Sequence, residues 1–262
     1  MNFFSACKSI LLTEDIKLKC DSLKLLYFNF NTYNFMPHSL IVSIEKPGRP
    51  VKPILVEPQQ VIRRKVGNEK GYAGLFHALA HIEYNAINLS LDTCYRFQHM
   101  PQQYYLNWLT VAVEEVCHFE LLNYYLHQLG YSYGDFTAHN ELWVMAYKTE
   151  YDILARIGLV HKVLEAKGID SAPALLHKIP KTNLIAHKIL NIIYLDEIKH
   201  AQFGNYWFNY ICQQRKIDAT TTFFELLHQF AIPKITGSID FAGRIKAGFS
   251  HKEIEYLQAN KD

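Results

Sequence analysis

Hydrophobic residues recur at helical spacing over four long stretches of this chain. Apolar side chains follow one another at intervals of three, four and seven residues, the period of an amphipathic helix that buries one face. The predicted long helices span residues 72–96, 102–129, 141–167 and 182–214. A short break at Met100-Pro101 separates the first two helices, so they are expected to form an antiparallel pair.

The rest of the chain has other patterns. A short amphipathic helix is predicted over residues 13–27, and prolines at 47, 50, 53 and 58 predict an extended arm between residues 29 and 70. Beyond the fourth helix, Thr220–Phe230 is helical in pattern, and Ser250 with Glu253 has the spacing of a capping box. The predicted domains are an N-terminal helix and Pro-rich arm (1–70), a four-helix bundle (71–215) and a C-terminal helical extension (216–262).

One short motif occurs in both the second and the fourth helix. Glu115 and His118 stand three residues apart, and so do Glu197 and His200; each pair is followed at the same offset by Asn, Tyr and an aromatic residue. Residues three apart project from one face of a helix, about one turn from each other. A single Glu-x-x-His is more often a surface pair, but two copies on apolar helix faces favour metal ligation, because a lone buried carboxylate is costly.

Two further glutamates have matching positions. Glu83 precedes Glu115 by 115 − 83 = 32 residues, and Glu165 precedes Glu197 by 197 − 165 = 32 residues. A di-metal site in a four-helix bundle takes one Glu from each of two helices and a Glu-x-x-His from each of the other two. The spacing therefore predicts a site built from Glu83, Glu115, His118, Glu165, Glu197 and His200.

The third helix offers two candidate acids. Gly168 is typical of a helix end, so Glu165 is expected near the C-terminus of its helix, where a glutamate without a ligand role is ordinary. Glu150 lies on the same predicted helix with apolar neighbours and is the alternative ligand. The equal spacing favours Glu165, which leaves Glu150 as an outer or substrate-side group.

The charges of the predicted ligands suit two divalent ions. Four carboxylates carry minus four and two such ions carry plus four, while a mixed nitrogen and oxygen ligand set suits iron first, manganese next and zinc less well. Residues around the ligands are expected to support them: Glu114 and Asp196 as acceptors for the imidazoles, and His81 as a supporting donor or entrance residue. Tyr194 is expected to be a packed aromatic, with a hydrogen-bond donor or a radical carrier as the alternatives.

Composition adds limits. The chain has 262 residues, a net charge of +2 and five cysteines without a C-x-x-C pair, which is typical of reduced thiols in the cytoplasm. No stretch is apolar for long enough to predict a membrane helix. The longest basic run, Arg63-Arg64-Lys65, neither requires nor excludes nucleic acid. The oligomeric state is not predicted.

Several motifs together resemble one family. They are F-H-A-L-A-H-I-E (Phe76–Glu83), Y-G-D-F (Tyr133–Phe136), L-A-R (Leu154–Arg156), V-L-E-A-K-G-I-D (Val163–Asp170) and D-E-x-x-H (Asp196–His200), with P-G-R-P (Pro47–Pro50) upstream and A-G-F-S (Ala247–Ser250) downstream. From about residue 46 to the end, the chain resembles the ferritin-like domain-of-unknown-function 455 family; the first 45 residues carry no resemblance. The resemblance implies an all-α, ferritin-like antiparallel four-helix bundle with a long crossover, carrying a di-metal site on the six residues above. It favours Glu165 over Glu150.

These features favour a di-iron or di-manganese protein that uses dioxygen or peroxide, as an oxidase or hydroxylase of an unidentified substrate. The likeness to di-iron tRNA hydroxylases is one of fold alone. Two alternatives remain open. The first is metal storage, detoxification or peroxide scavenging, and the second is a structural bundle that a metal holds together.

Overall fold

The computed structural model describes residues 1–38, 40–62, 67–235 and 237–258, and no β-strand occurs within these ranges. The all-α fold class is therefore confirmed. The basic run at residues 63–65 lies outside the described ranges. The chain forms two compact units, residues 1–150 and 151–262. The predicted boundaries at 70 and 215 differ from this division, and the three-part organisation stays a prediction.

Within the described residues, the first unit contains five α-helices: α1 (Phe3–Leu11), α2 (Ile16–Phe28), α3 (Glu69–Arg96), α4 (Gln102–Gln128) and α5 (Glu141–Lys148). The sequence pattern missed α1, which begins where the side chain of Asn2 accepts a hydrogen bond from the Ser5 amide. Between α2 and α3, the described part of the Pro-rich arm has only two single 3₁₀ turns, Phe30–Thr32 and Pro58–Gln60. This agrees with the prediction that its prolines prevent a continuous helix.

Helices α3 and α4 form an antiparallel hairpin, as the short connection predicts. Ring pairs along their length show the direction: Phe76 lies 4.4 Å from Tyr125, and Tyr84 lies 5.5 Å from Phe119, between ring centroids. As the residue number rises along α3, the partner number falls along α4. This packing keeps one face of each helix buried over most of its length.

A buried lysine fastens the arm to this hairpin. The ammonium group of Lys19 on α2 donates hydrogen bonds to the Leu11 carbonyl at 3.1 Å, the Gly48 carbonyl at 2.6 Å and the Asn88 side-chain oxygen at 2.6 Å. It also lies 5.2 Å from the ring of Tyr84. Three acceptors match the three donors of an ammonium group, so α1, the arm and α3 share one buried cation.

Replacing Lys19 with methionine is expected to lower the free energy of unfolding by about 2–4 kcal/mol, because three buried oxygens lose their donor. Urea unfolding followed by circular dichroism measures the change. Lys17→Met is the matched control, since Lys17 is on the same helix and its side chain is 85% exposed; a change within about 0.5 kcal/mol is expected there. Equal stability of the Lys19 and Lys17 variants would contradict the role given to Lys19.

The second unit begins with α6 (Ile153–Arg156) and continues through a π-helical segment (Ile157–Leu164) directly into α7 (Glu165–Lys178). Then follow α8 (Leu184–Arg215), α9 (Ala219–Gln229), α10 (Phe241–Lys246) and α11 (His251–Leu257). Helices α7 and α8 run antiparallel, because Gly168 faces Glu197 while His161, earlier in the chain, faces Gly204, later in the chain. Among the helices described in either unit, none is long and apolar enough to cross a membrane.

The single third helix predicted over residues 141–167 is wrong. Helix α5 ends where the Thr149 hydroxyl donates a hydrogen bond to the Met145 carbonyl, and α6 starts after its N-cap Asp152, whose side chain accepts from the Leu154 amide. The predicted helix end at Gly168 is also wrong, because α7 continues to Lys178. Side-chain capping groups of this kind compete with the helix locally, which hydrophobic periodicity does not detect.

The C-terminal helices contain the predicted capping box and a buried ion pair. The capping box is present at the start of α11, with Ser250 and Glu253 bonding to each other's backbone amides. Arg244 is buried on α10, and its guanidinium lies 2.6 Å from the carboxylate of Asp170 on α7. Burial of an arginine requires a paired acid, and Asp170 provides it.

Candidate metal centre

The α3–α4 hairpin brings three predicted ligands together in the first unit. The side chains of Glu83, Glu115 and His118 are all buried, and one ligand atom of each lies within 4.8 Å of the others. His118 Nδ1 is 3.2 Å from Glu115 Oε2 and 3.8 Å from Glu83 Oε2. The two acids come from different helices, and the imidazole from the same helix as one of them.

Burial has an electrostatic cost in this cluster. The pKa of Glu83 is raised well above its ordinary value, first because the carboxyl group is removed from water and next because the charge of Glu115 is close, while His118 opposes the rise. Glu83 Oε2 accepts no hydrogen bond from any residue the structure describes. Neighbouring buried acids therefore destabilise each other unless a proton or cation is present.

The second unit holds a matching group. Glu165 at the start of α7 and Glu197 and His200 on α8 are buried, and one ligand atom of each lies within 4.8 Å of the others. At such separations, two carboxylates repel each other by about 3 kcal/mol at an effective dielectric constant of about 20. Each unit thus contains two glutamates and one histidine with the spacing that ligands of one ion require.

A glycine makes room for one of these acids. A Cβ atom at Gly168 would lie 2.6 Å from Glu197 Cδ and 2.9 Å from Glu197 Oε1. The missing side chain lets the Glu197 carboxylate lie directly against the backbone of α7. Gly168 is therefore not a helix terminator but part of the wall of the cluster.

Glu150, the alternative ligand, has other partners. Its carboxylate accepts hydrogen bonds from the Ser43 hydroxyl at 2.9 and 2.8 Å and lies 3.0 Å from Arg96, whose guanidinium also bonds Asp92. It follows α5 rather than sharing a helix with Glu165. Because Arg96 and Ser43 already neutralise and bond this carboxylate, the geometry favours Glu165 as the acid of the second cluster.

The residues predicted to support the ligands lie in different environments. Glu114 and Asp196 are half-buried, each one position before a glutamate of a cluster, and their role as acceptors for the imidazoles stays a prediction. The Tyr194 hydroxyl donates to Asp240 Oδ2 at 2.6 Å, and this bond raises the pKa of Tyr194 to about 12. Tyr194 therefore helps hold the segment before α10.

His81 is fixed in a buried network on the hairpin. Its Nε2 lies 2.9 Å from the His139 carbonyl, which can only accept, so Nε2 carries the proton and Nδ1 accepts from the Tyr133 hydroxyl at 2.9 Å. One turn earlier, His77 Nε2 accepts from the Gly134 amide at 3.0 Å. These histidines hold the loop that follows α4.

Acid is expected to destabilise this loop. Burial lowers the pKa of His77 and of His81 from 6.5 to about 4. Between these values the unfolded chain binds more protons than the folded chain. The stabilisation from neutral imidazoles is complete above about pH 6.5 and is lost as the pH falls towards 4.

Urea unfolding at pH 7, 5.5 and 4.5 measures this effect, and a loss of roughly 4–5 kcal/mol for the two histidines together is expected across the range. His77→Gln, which keeps an acceptor without titrating, is expected to reduce the slope. His99→Gln, at an exposed position, is expected to keep it. An unchanged slope in His77→Gln would show that this residue does not carry the effect.

One residue near the second cluster escaped the sequence analysis. His161, in the π-helical segment, is fully buried, and its Nδ1 lies 3.5 Å from Glu165 Oε1. The only available signal was its position four residues before Glu165. The spacing did not identify His161 as a site residue, because the sequence pattern gave no indication of a π-helical segment within the third helix.

The described residues define a class: an all-α protein in which two helical units each carry a buried cluster of two glutamates and one histidine. Comparison with known sequences gives the particular family. The family described as "protein of unknown function (DUF455)" matches residues 12–255, and this chain belongs to it. The match begins at residue 12, so it includes α2 and the arm, where the motifs had shown no resemblance before residue 46.

An uncharacterized protein of Haemophilus influenzae is 39% identical to this chain over 273 residues, covering 97% of this chain and 93% of that protein. No solved structure gave a significant match.

Proposed function

We propose that this protein binds two divalent metal ions, one in the cluster of each unit, and acts as a dioxygen-dependent oxidase or hydroxylase. Each hairpin supplies one glutamate and one Glu-x-x-His, the ligand contribution that ferritin-like di-metal proteins take from a pair of helices. Iron is the first choice, because carboxylate oxygens with one imidazole suit iron and manganese better than a thiolate-preferring metal.

The observation that carries the proposal is the charge of each cluster. Glu83 with Glu115, and Glu165 with Glu197, place two acids within 4.8 Å in a buried environment, beside one imidazole each. One divalent cation per unit balances two ionised carboxylates. Without it, burial holds the pKa of Glu83 high, so bound metal and bound protons compete for the same carboxylate.

Three protein ligands do not fill the coordination sphere of a six-coordinate ion, and this distinguishes the proposed centre from a closed structural site. When bound, a pair of redox-active ions supplies electrons to dioxygen and a means of oxidising a second molecule. The chain's own residues hold the ions, exclude bulk water and keep the ligating groups in fixed positions. The buried helix faces that flank the ligands serve this purpose.

The experiment that tests the proposal is anaerobic loading with ferrous iron, followed by exposure to oxygen. Two iron atoms per chain, oxygen consumption and a new ferric absorption band are expected. Mössbauer spectroscopy of the oxidised sample then measures whether the bound iron is ferric.

Other outcomes identify the alternatives. Uptake of many iron atoms per chain would instead support storage. Tight zinc binding without iron oxidation would support a structural metal, and failure to bind any divalent ion would refute the metal-centre proposal altogether. Loading with manganous ion under the same conditions decides between the two redox metals.

A further inference from the structure

The π-helical segment Ile157–Leu164 carries two buried polar side chains, His161 and Lys162, just before Glu165. A π turn closes one residue later than an α turn, so it displaces every following residue around the helix axis. Which face Glu165 presents therefore depends on this segment. Short π segments inside α-helices are frequent at functional sites.

Helix α8 holds the segment by a close backbone approach. A Cβ atom at Gly204 would lie 2.1 Å from the His161 carbonyl oxygen and 3.0 Å from the Lys162 backbone nitrogen. Only glycine permits this separation. The backbone at His161 is thereby fixed against the helix that carries Glu197 and His200.

The side chain of Lys162 also holds the segment in place. Its ammonium group pairs with the Glu253 carboxylate on α11, and it lies 5.0 Å from the ring of Phe208, 4.2 Å from Phe223 and 5.1 Å from Phe249. A paired lysine surrounded by aromatic faces is a stable arrangement for a buried cation. The close approach of Gly204 and the contacts of Lys162 thus fix the register of the π segment, and neither involves Glu165.

His161 then faces the candidate ligand itself. Four residues along a π turn bring a side chain almost above the first, and His161 Nδ1 lies 3.5 Å from Glu165 Oε1 with the imidazole fully buried. Carboxylates that bind metal are commonly oriented by donors outside the ligand set, and the loss of such a donor typically lowers metal affinity 10–100-fold.

We propose that His161 is a positioning residue, whose ring nitrogen Nδ1 orients the Glu165 carboxylate towards Glu197 and His200. The inference rests on the proposed metal-binding function and adds a residue outside the six ligands. His161 acts through Glu165, and the π segment delivers both side chains to one face. The second cluster thus has a second buried histidine beside one of its acids.

The test is titration of the full-length protein with Co²⁺, whose visible bands report on coordination. Wild type is expected to bind two ions. His161→Leu is expected to lower the affinity for one of the two ions about 10–100-fold and to shift the visible bands of that ion. His161→Asn places an amide nitrogen near the position of Nδ1 and is expected to recover more affinity than His161→Gln, whose amide reaches further.

His187→Leu is the matched control, because His187 is a half-buried histidine of the same unit that bonds the Ile179 carbonyl and lies ten residues before Glu197 on α8. It is expected to bind both ions as wild type does. If His161→Leu does not fold, the Asn and Gln variants decide. Equal affinity in these two, or wild-type binding and bands in His161→Leu, would overturn the positioning role while leaving the metal proposal intact. If the wild type binds no Co²⁺, both proposals fail.

Discussion

Replacing Glu165 with alanine is expected to weaken metal binding in the second unit at least ~100-fold, which corresponds to about 2.8 kcal/mol of binding free energy. The ion would lose one of two carboxylates and would leave Glu197 only partly neutralised. Metal content after desalting is expected to fall from two ions per chain to one. Metal analysis and Co²⁺ titration measure both quantities.

The same substitution is not expected to lower the stability of the metal-free protein, although it lowers the metal affinity. Removing one of two repelling carboxylates relieves about 3 kcal/mol of repulsion at an effective dielectric constant of about 20, offset by the cavity that alanine leaves. The metal-free variant should therefore be no less stable than metal-free wild type. The added stability on loading, about 2.7 kcal/mol for a site at 100 times its dissociation constant, should be reduced.

Glu150→Ala is the control for this prediction, because the sequence left Glu150 as the alternative ligand. Its carboxylate is held by Ser43 and Arg96, so both ions are expected to remain. Loss of an ion in Glu150→Ala, with full loading of Glu165→Ala, would reverse the assignment of the third-helix acid.

Replacing Gly204 with alanine is expected to lower the free energy of unfolding by about 3 kcal/mol. The new methyl group would lie 2.1 Å from the His161 carbonyl oxygen and 2.6 Å from its carbonyl carbon, so the backbone of α8 or of the π segment must move. Alanine favours a helix over glycine by about 1 kcal/mol, and the steric conflict must exceed this gain. Chemical denaturation measures the difference.

Metal affinity is expected to fall in the same variant, because displacement of the π segment moves Glu165. Gly237→Ala is the control within this unit: a Cβ at Gly237 would meet no atom within 4 Å, so a change within about 0.5 kcal/mol is expected. Wild-type stability in Gly204→Ala would show that the two backbones can separate freely, and the register argument for the π segment would fail.

The two predictions separate binding from folding. Glu165 is expected to destabilise the metal-free fold and to be necessary for binding of the ion. Gly204 is necessary for the fold and acts on the ion only through the backbone. Residues that serve a binding site often reduce stability, because the charges that bind a ligand must stay close together without it.

The repeated motif explains how much of the site the sequence could predict. The spacing of Glu115 and His118, and of Glu197 and His200, follows from the helical period, and so does the burial of their apolar neighbours. Backbone hydrogen bonds set this period locally, so a single amino-acid sequence is enough to predict it. The all-α class, the α3–α4 hairpin and the capping box of α11 are also local in this sense.

The third-helix region required the tertiary structure. Its break after α5, the π segment and the continuation of α7 past Gly168 depend on what packs against it: Glu197 fills the space at Gly168, and α8 touches the backbone of His161 through Gly204. A glycine that ends a helix and one that admits a neighbouring carboxylate are identical in sequence.

The sequence by itself determined the all-α class, the α3–α4 hairpin and the two Glu-x-x-His pairs, because each depends on residues within a few turns of one another or on a short connection, and its motifs identified the family. Only the tertiary structure decided the burial of Lys19 and Arg244, the partners of Glu150 and the contact of His161 with Glu165. Three of these contacts depend on groups distant in the chain, and the fourth on a helix register that distant groups hold. Burial of a charge is tolerable only where the fold supplies a partner.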